Sequence, residues 1–256
     1  LFLFFTLFIL SNSILSAEDP KPAAPLPGHS MHGEAFDEGP RQRAYLMGNT
    51  GQVHFPVSTK IPAAQQFFDQ AIGQLHGFWY YESERSFRQV ALLDPGCAMA
   101  YWGLAMSNIN NEKRAKEFIK QAVSRKATAS PREQAWIDAL ANFYAGEDNA
   151  EARRKYIRAL ETLVQDQPQD VEAKAFLIFH IWKNSSFKDS SGNKPLPLSS
   201  HQALDSLLDQ VFQLAPMHPA HHYRIHLWDD EKPARALVSA SLNGQASPGI
   251  AHMWHM

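Results

Sequence analysis

From Pro62 onward the apolar positions recur three and four residues apart: Phe67, Ala71 and Leu75, then Phe87, Val90 and Ala91, then Tyr101, Leu104 and Ala105. This spacing places them on one face of a helix with the polar residues opposite, and it predicts helix after helix to the end of the chain. One stretch breaks the rhythm, Asn184 to Ser200, which is rich in Ser, Gly and Pro. Before Pro62 the pattern differs. Leu1 to Leu10 is almost wholly apolar and no charge precedes Glu18, so the start reads as a secretory signal cleaved after Ala17. Its apolar run falls short of the roughly 20 residues that cross a bilayer. Glu18 to Gly28 carries four prolines and predicts an extended linker. His29 to Lys60 is punctuated by Gly33, Gly39, Pro40, Gly48, Gly51 and Pro56, with one short strand expected at Val53–Val57. The expected organisation is therefore a signal at 1–17, a Pro-rich linker and irregular arm at 18–60, and a helical domain at 61–256.

Large aromatics open alternate helices at Phe67, Tyr101, Trp136, Phe176, Tyr223 and Trp254, with spacings of 34, 35, 40, 47 and 31. The longest gap contains the 184–200 insertion. A period near 34 in an all-helical chain marks helix-turn-helix repeats. In the first unit Phe67 is followed by Ala71, then by Ser83, Phe87 and Pro95 at 16, 20 and 28 residues. A small residue lets the next helix approach, an aromatic fills the space left, and proline ends the unit. The later units are looser. Trp136 keeps Phe143, Ala152 and Tyr156 but has Leu140 at the small position, and Phe176 has His180 there.

This order of bulky, small, small, aromatic and proline residues resembles the tetratricopeptide-repeat family over Pro62 to Met256. The resemblance implies an all-α, right-handed α-solenoid of helix-turn-helix repeats behind an irregular N-terminal arm, and a concave groove lined by the first helix of each unit. Groove candidates flank the openers: Met99 and Trp102, His221 and Arg224, His252 and His255. The segment Ile250 to Met256 looks like the opening of a further unit, so the sequence is expected to be truncated there.

Composition sharpens this picture. Lys plus Arg is 24 against 26 for Asp plus Glu, a balance that gives no reason to expect nucleic acid as a partner. The single cysteine, Cys97, excludes a disulfide framework, a four-cysteine zinc site and haem attachment through Cys-x-x-Cys-His within these residues. Gly48 to Gln52 lacks the Gly-Lys-Ser/Thr ending of a phosphate loop and reads as a turn. Neither a nucleophile elbow nor a dinucleotide fingerprint occurs.

Histidine is the exception to this plainness: six of twelve lie between His218 and His255. His222 and His226 are four apart, and His252 and His255 three apart, spacings that place imidazoles on one helical face. Imidazole nitrogens so placed hold zinc, copper or nickel, with Asp229 or Asp230 as possible oxygen donors. The leading expectation is a non-enzymatic, exported bacterial scaffold, periplasmic or secreted, that binds a protein or peptide in its groove without a required cofactor. The alternatives are a metal-binding or metal-dependent protein using His222, His226, His252 and His255, and the scaffold portion of a longer enzyme.

Overall fold

The computed structural model describes residues 43–146, 150–186 and 201–256. The expected signal, the Pro-rich linker and residues 29–42 of the arm lie outside them, as do residues 187–200 of the insertion. The described residues form eleven α-helices: α1 Pro62–His76, α2 Tyr80–Leu93, α3 Ala98–Ser107, α4 Glu112–Arg125, α5 Pro131–Tyr144, α6 Ala150–Asp166, α7 Val171–Ser186, α8 His201–Leu214, α9 His221–Trp228, α10 Leu237–Ala246 and α11 Ala251–His255. None is long and apolar enough to cross a membrane.

Local signals explain the boundaries. Pro62 and Pro131 sit in the first turns of α1 and α5, where a missing N–H costs nothing. Ser130 and Glu133 close a reciprocal capping box on α5, and the Asn111 side chain caps α4. Pro95, Pro168, Pro216 and Pro248 each fall in the turn that precedes an odd-numbered helix. Each helix packs on its neighbours in sequence, and α1 meets α3, α3 meets α5, and α7 meets α9. All six opening aromatics lie on odd-numbered helices. Five of them are buried, whereas Trp254 remains 60% exposed.

The arm is not a strand. Among the described residues Val53–Val57 pairs with no strand, and side chains of α1 satisfy part of its backbone instead. Asp69 accepts from the Phe55 N–H at 2.9 Å, while the Gln65 amide donates to the Phe55 carbonyl at 2.8 Å and accepts from the Val57 N–H at 3.0 Å. The Phe55 ring lies 5.4 Å from Phe68, 5.8 Å from Trp102 and 5.5 Å from Trp136. Ser58 donates from its N–H to Glu133 of α5, and Gly249 donates to the Asn49 carbonyl. The arm therefore lies along the odd-numbered helices, on the face where an open groove was expected. Met99 and Trp102 have no exposed surface there; they are core residues, correcting their expected place on a groove.

Candidate metal centre

The histidine-rich end of the chain meets its beginning. α9 carries His222 and His226 one turn apart, and α11 brings His252 against them. The Nε2 atom of His222 lies 3.1 Å from that of His226 and 3.1 Å from that of His252. One ligand atom from each of the three lies within 4.8 Å of the others.

The proton positions follow from the partners. Nδ1 of His222 is 2.7 Å from the main-chain carbonyl of His76, which can only accept, so Nδ1 carries the hydrogen and Nε2 presents a lone pair. Nδ1 of His226 faces the Asp229 carboxylate at 3.3 Å, an acceptor that favours the same tautomer. In that tautomer two lone pairs face each other across 3.1 Å with no hydrogen between them. A shared metal ion satisfies both lone pairs, whereas the other His226 tautomer would donate its Nε2 hydrogen to Nε2 of His222. Ligand nitrogens 2.0–2.1 Å from a tetrahedral zinc are separated by roughly 3.3 Å, close to the spacing seen.

The electrostatics favour a metal ion over a proton. Burial pushes the His222 imidazole down to about 3, with His226 and His252 adding to the effect and the bond to the His76 carbonyl opposing it. Burial also lowers His226, against the pull of Asp229, and lowers His252, helped by the neighbouring imidazoles. All three are held neutral at pH 7, the form that ligates.

A second cluster, His76, Glu172 and His218, is similar in composition and opposite in protonation. Glu172, in the first turn of α7, receives His76 Nε2 at 2.7 Å and His218 Nε2 at 3.0 Å on its two oxygens. The Ala220 N–H donates to His218 Nδ1 at 3.0 Å, so the His218 hydrogen sits on Nε2 and its lone pair is already used. Tyr223 shares a 2.6 Å bond with His76 Nδ1. Burial alone would raise the Glu172 carboxyl, but the His218 and His76 imidazoles outweigh it and hold the group well below the usual carboxylate range. Every ring nitrogen here has a hydrogen-bond partner without a metal, so this cluster is a structural network. It also anchors His76, whose carbonyl orients His222.

No protein-family profile matches this chain, and no curated protein or solved structure matches it either. The geometry of the site is thus the main guide to its chemistry.

Of the residues singled out in the sequence, the structure brings His222, His226 and His252 together and leaves His255 beside them, its ring 6.4 Å from that of His252 and outside the convergence. His221, one residue from His222, faces the other way. It bonds the Pro216 carbonyl and the Ser239 hydroxyl, both at 2.9 Å, and stacks on Phe212 at 4.0 Å. Being 3% exposed, it is a packing residue and not a groove residue. Arg224 pairs with Asp205 at 2.8 Å and with Asp209, and covers Phe212. Asp229 supports His226 as an outer partner, whereas Asp230 is exposed at the end of α9. Four participants carry no sequence signal: Phe78, His76, Glu172 and Trp182. Phe78 and Trp182 form the aromatic walls, with Trp182 stacked on His226 at 4.9 Å and its indole N–H on the His226 carbonyl at 3.2 Å. Cys97 is buried, and burial pushes its thiol up to about 12, the behaviour of an inert packing residue.

Proposed function

We propose that this protein binds a transition-metal ion of the zinc, copper or nickel class through Nε2 of His222, His226 and His252, on a helical scaffold of the tetratricopeptide-repeat type. The observation that carries the reading is the convergence of three neutral imidazoles, with Nε2 of His226 and of His252 each 3.1 Å from that of His222 and all three ligand atoms within 4.8 Å of one another; the outer nitrogens of His222 and His226 face acceptors. Fixing Nδ1–H on a carbonyl or carboxylate is the usual second-layer arrangement of metal-ligating histidine. Three protein ligands leave a coordination position free, as in zinc centres that bind water or substrate rather than in closed structural sites. The repeat scaffold is supported by the opening aromatics on alternate helices and by the contacts between odd-numbered helices. A groove for a protein partner has less support, since the arm, the burial of Met99 and Trp102 and the engagement of His221 occupy that face.

Metal analysis of protein purified without a histidine tag, followed by calorimetric titration of the chelator-treated form with zinc, tests the proposal. Binding of one ion per chain is expected. His222→Ala should weaken it by at least about 100-fold, because a lost ligand costs more than the 10–100-fold typical of an outer partner. Stoichiometric binding that survives His222→Ala together with His226→Ala would sink the assignment.

A further inference from the structure

Phe78 combines two observations that neither packing nor metal binding alone explains. The first is its backbone. α1 ends with the Phe78 N–H on the Leu75 carbonyl at 3.0 Å and the Trp79 N–H on the Gln74 carbonyl at 2.9 Å, the bonding of a Schellman cap with Phe78 in the left-handed position. Its φ of 54° lies in the left-handed region, where glycine is at ease and a bulky side chain is strained. A glycine is present, but one residue early. Gly77 has an ordinary negative φ, and a Cβ there would meet the Ile250 side chain, just before α11, at 2.8 Å, so the small residue makes room for that side chain while phenylalanine takes the strained position.

The second observation is where the ring goes. Its centroid lies 4.3 Å from His222, 5.7 Å from His226 and 6.3 Å from His252, so one side chain borders all three ligands. It is backed by Tyr80, Phe179 and Trp182 at 6.0, 5.6 and 6.1 Å. Strain of this kind persists where the surroundings enforce it, and it clusters where a side chain serves a site. An aromatic ring against the three imidazoles narrows the room around an ion they share and offers no hydrogen bond to a ligand on that ion.

We propose that Phe78 is a specificity-determining wall of the metal centre, which limits the ion's free coordination position to small anions of two or three atoms and excludes planar heterocycles. This rests on the metal reading, and the test separates the two. The protein is loaded with cobalt(II), whose visible bands report the ligand field, and titrated with azide and with imidazole. For the unaltered chain, azide should shift the bands and imidazole should not. Phe78→Gly removes the ring and puts the preferred residue at the left-handed position, so the cap is retained. In that variant imidazole should bind at least about tenfold more tightly, while azide changes by less than about threefold, the scale on which shape-based pockets discriminate. Phe78→Leu, which keeps the strain and an apolar side chain of smaller reach, should fall between. Equal imidazole affinity in the unaltered and glycine chains overturns the proposal, as does failure of azide to bind the unaltered chain. Loss of cobalt from a folded Phe78→Gly protein also overturns it, because the ring would then hold the ligands and not size the opening. Failure of the unaltered chain to take up any cobalt is a different result, and it refutes the metal reading itself.

Discussion

His218 and His222 are four residues apart and carry their hydrogens on opposite nitrogens. A backbone N–H donates to Nδ1 of the first and a backbone carbonyl accepts from Nδ1 of the second, so one imidazole becomes a donor to Glu172 and the other a free ligand. This distinction was out of reach of the sequence, where both are histidines near a helix start. The sequence did show the i, i+4 pair His222 and His226. It also suggested that His252 occupies an equivalent place on the next odd-numbered helix, but it matched His252 with His221 instead of His222. A one-residue error on a helix is a rotation of about 100°, enough to turn a ligand into a packing residue. Two predictions belong at this scale. Asp229→Ala should weaken metal binding by about 10–100-fold while Asp230→Ala leaves it unchanged, measured by competition with a chromophoric chelator. Acid should destabilise the metal-free protein early. The His222 imidazole titrates at an ordinary 6.5 when unfolded and near 3 when folded, so the unfolded chain takes up a proton that the folded chain refuses. Stability is retained above about 6.5 and falls toward pH 3, at up to about 1.4 kcal/mol per pH unit from this group. Denaturant midpoints at pH 7, 6 and 5 measure the slope. His222→Phe should reduce the slope by this group's share but not flatten it, since buried His180 is also pushed down to about 3; an unchanged slope would show that other groups carry the effect.

The helices themselves were legible because their apolar faces repeat at three and four and because proline and capping residues mark their ends. The short strand at Val53–Val57 was misread for a physical reason. Alternation and β-branched residues say that a segment is extended, and they do not say whether its hydrogen bonds go to another strand or to side chains. Here Gln65 and Asp69 of α1 supply them. α1 is shaped for this contact at Gly73, where a Cβ would lie 2.2 Å from the Thr50 carbonyl oxygen. Gly73→Ala therefore sets two effects against each other. Helix propensity favours alanine by about 1 kcal/mol, whereas the clash with a backbone atom must push the arm off the helix at a cost of about 1–3 kcal/mol. The clash should prevail, since backbone cannot rotate away as a flexible side chain can. A lower melting temperature and faster proteolysis between residues 43 and 60 are expected, and a stabilised protein with an unchanged digest would show that the arm is not seated on α1.

At the scale of the whole molecule the departure from a simple solenoid matters most. In a stack of repeats each unit touches only its neighbours, yet His76 at the end of α1 bonds Tyr223 of α9 across 147 positions and Glu172 of α7 across 96. The chain thus curves until its first helix meets the ninth and eleventh, and the proposed metal centre lies at that closure. Sequence periodicity suggests a repeat and says nothing of how the chain curves, which is why Phe78, His76 and Glu172 went unseen as parts of the site. The closure makes a prediction about coupling. The ligands sit on α9 and α11, but His222 is held by the carbonyl that ends α1, so a bound ion should stabilise all three elements as one unit. Zinc at about 100 times its dissociation constant should add about 2.7 kcal/mol of stability. Amide hydrogen exchange should then slow in α9, in α11 and in the last turn of α1, while α4 to α6 respond only through global unfolding. Tyr223→Phe leaves His76 Nδ1 unpaired in a buried site at a cost of about 1–3 kcal/mol, and it should loosen this linkage without removing a ligand. Zinc would still bind the variant, yet the gain in protection at the end of α1 should shrink relative to that in α9. Protection confined to α9 and α11 in the unaltered chain would mean that the first and last helices are merely adjacent, with no energetic coupling through the His76 carbonyl.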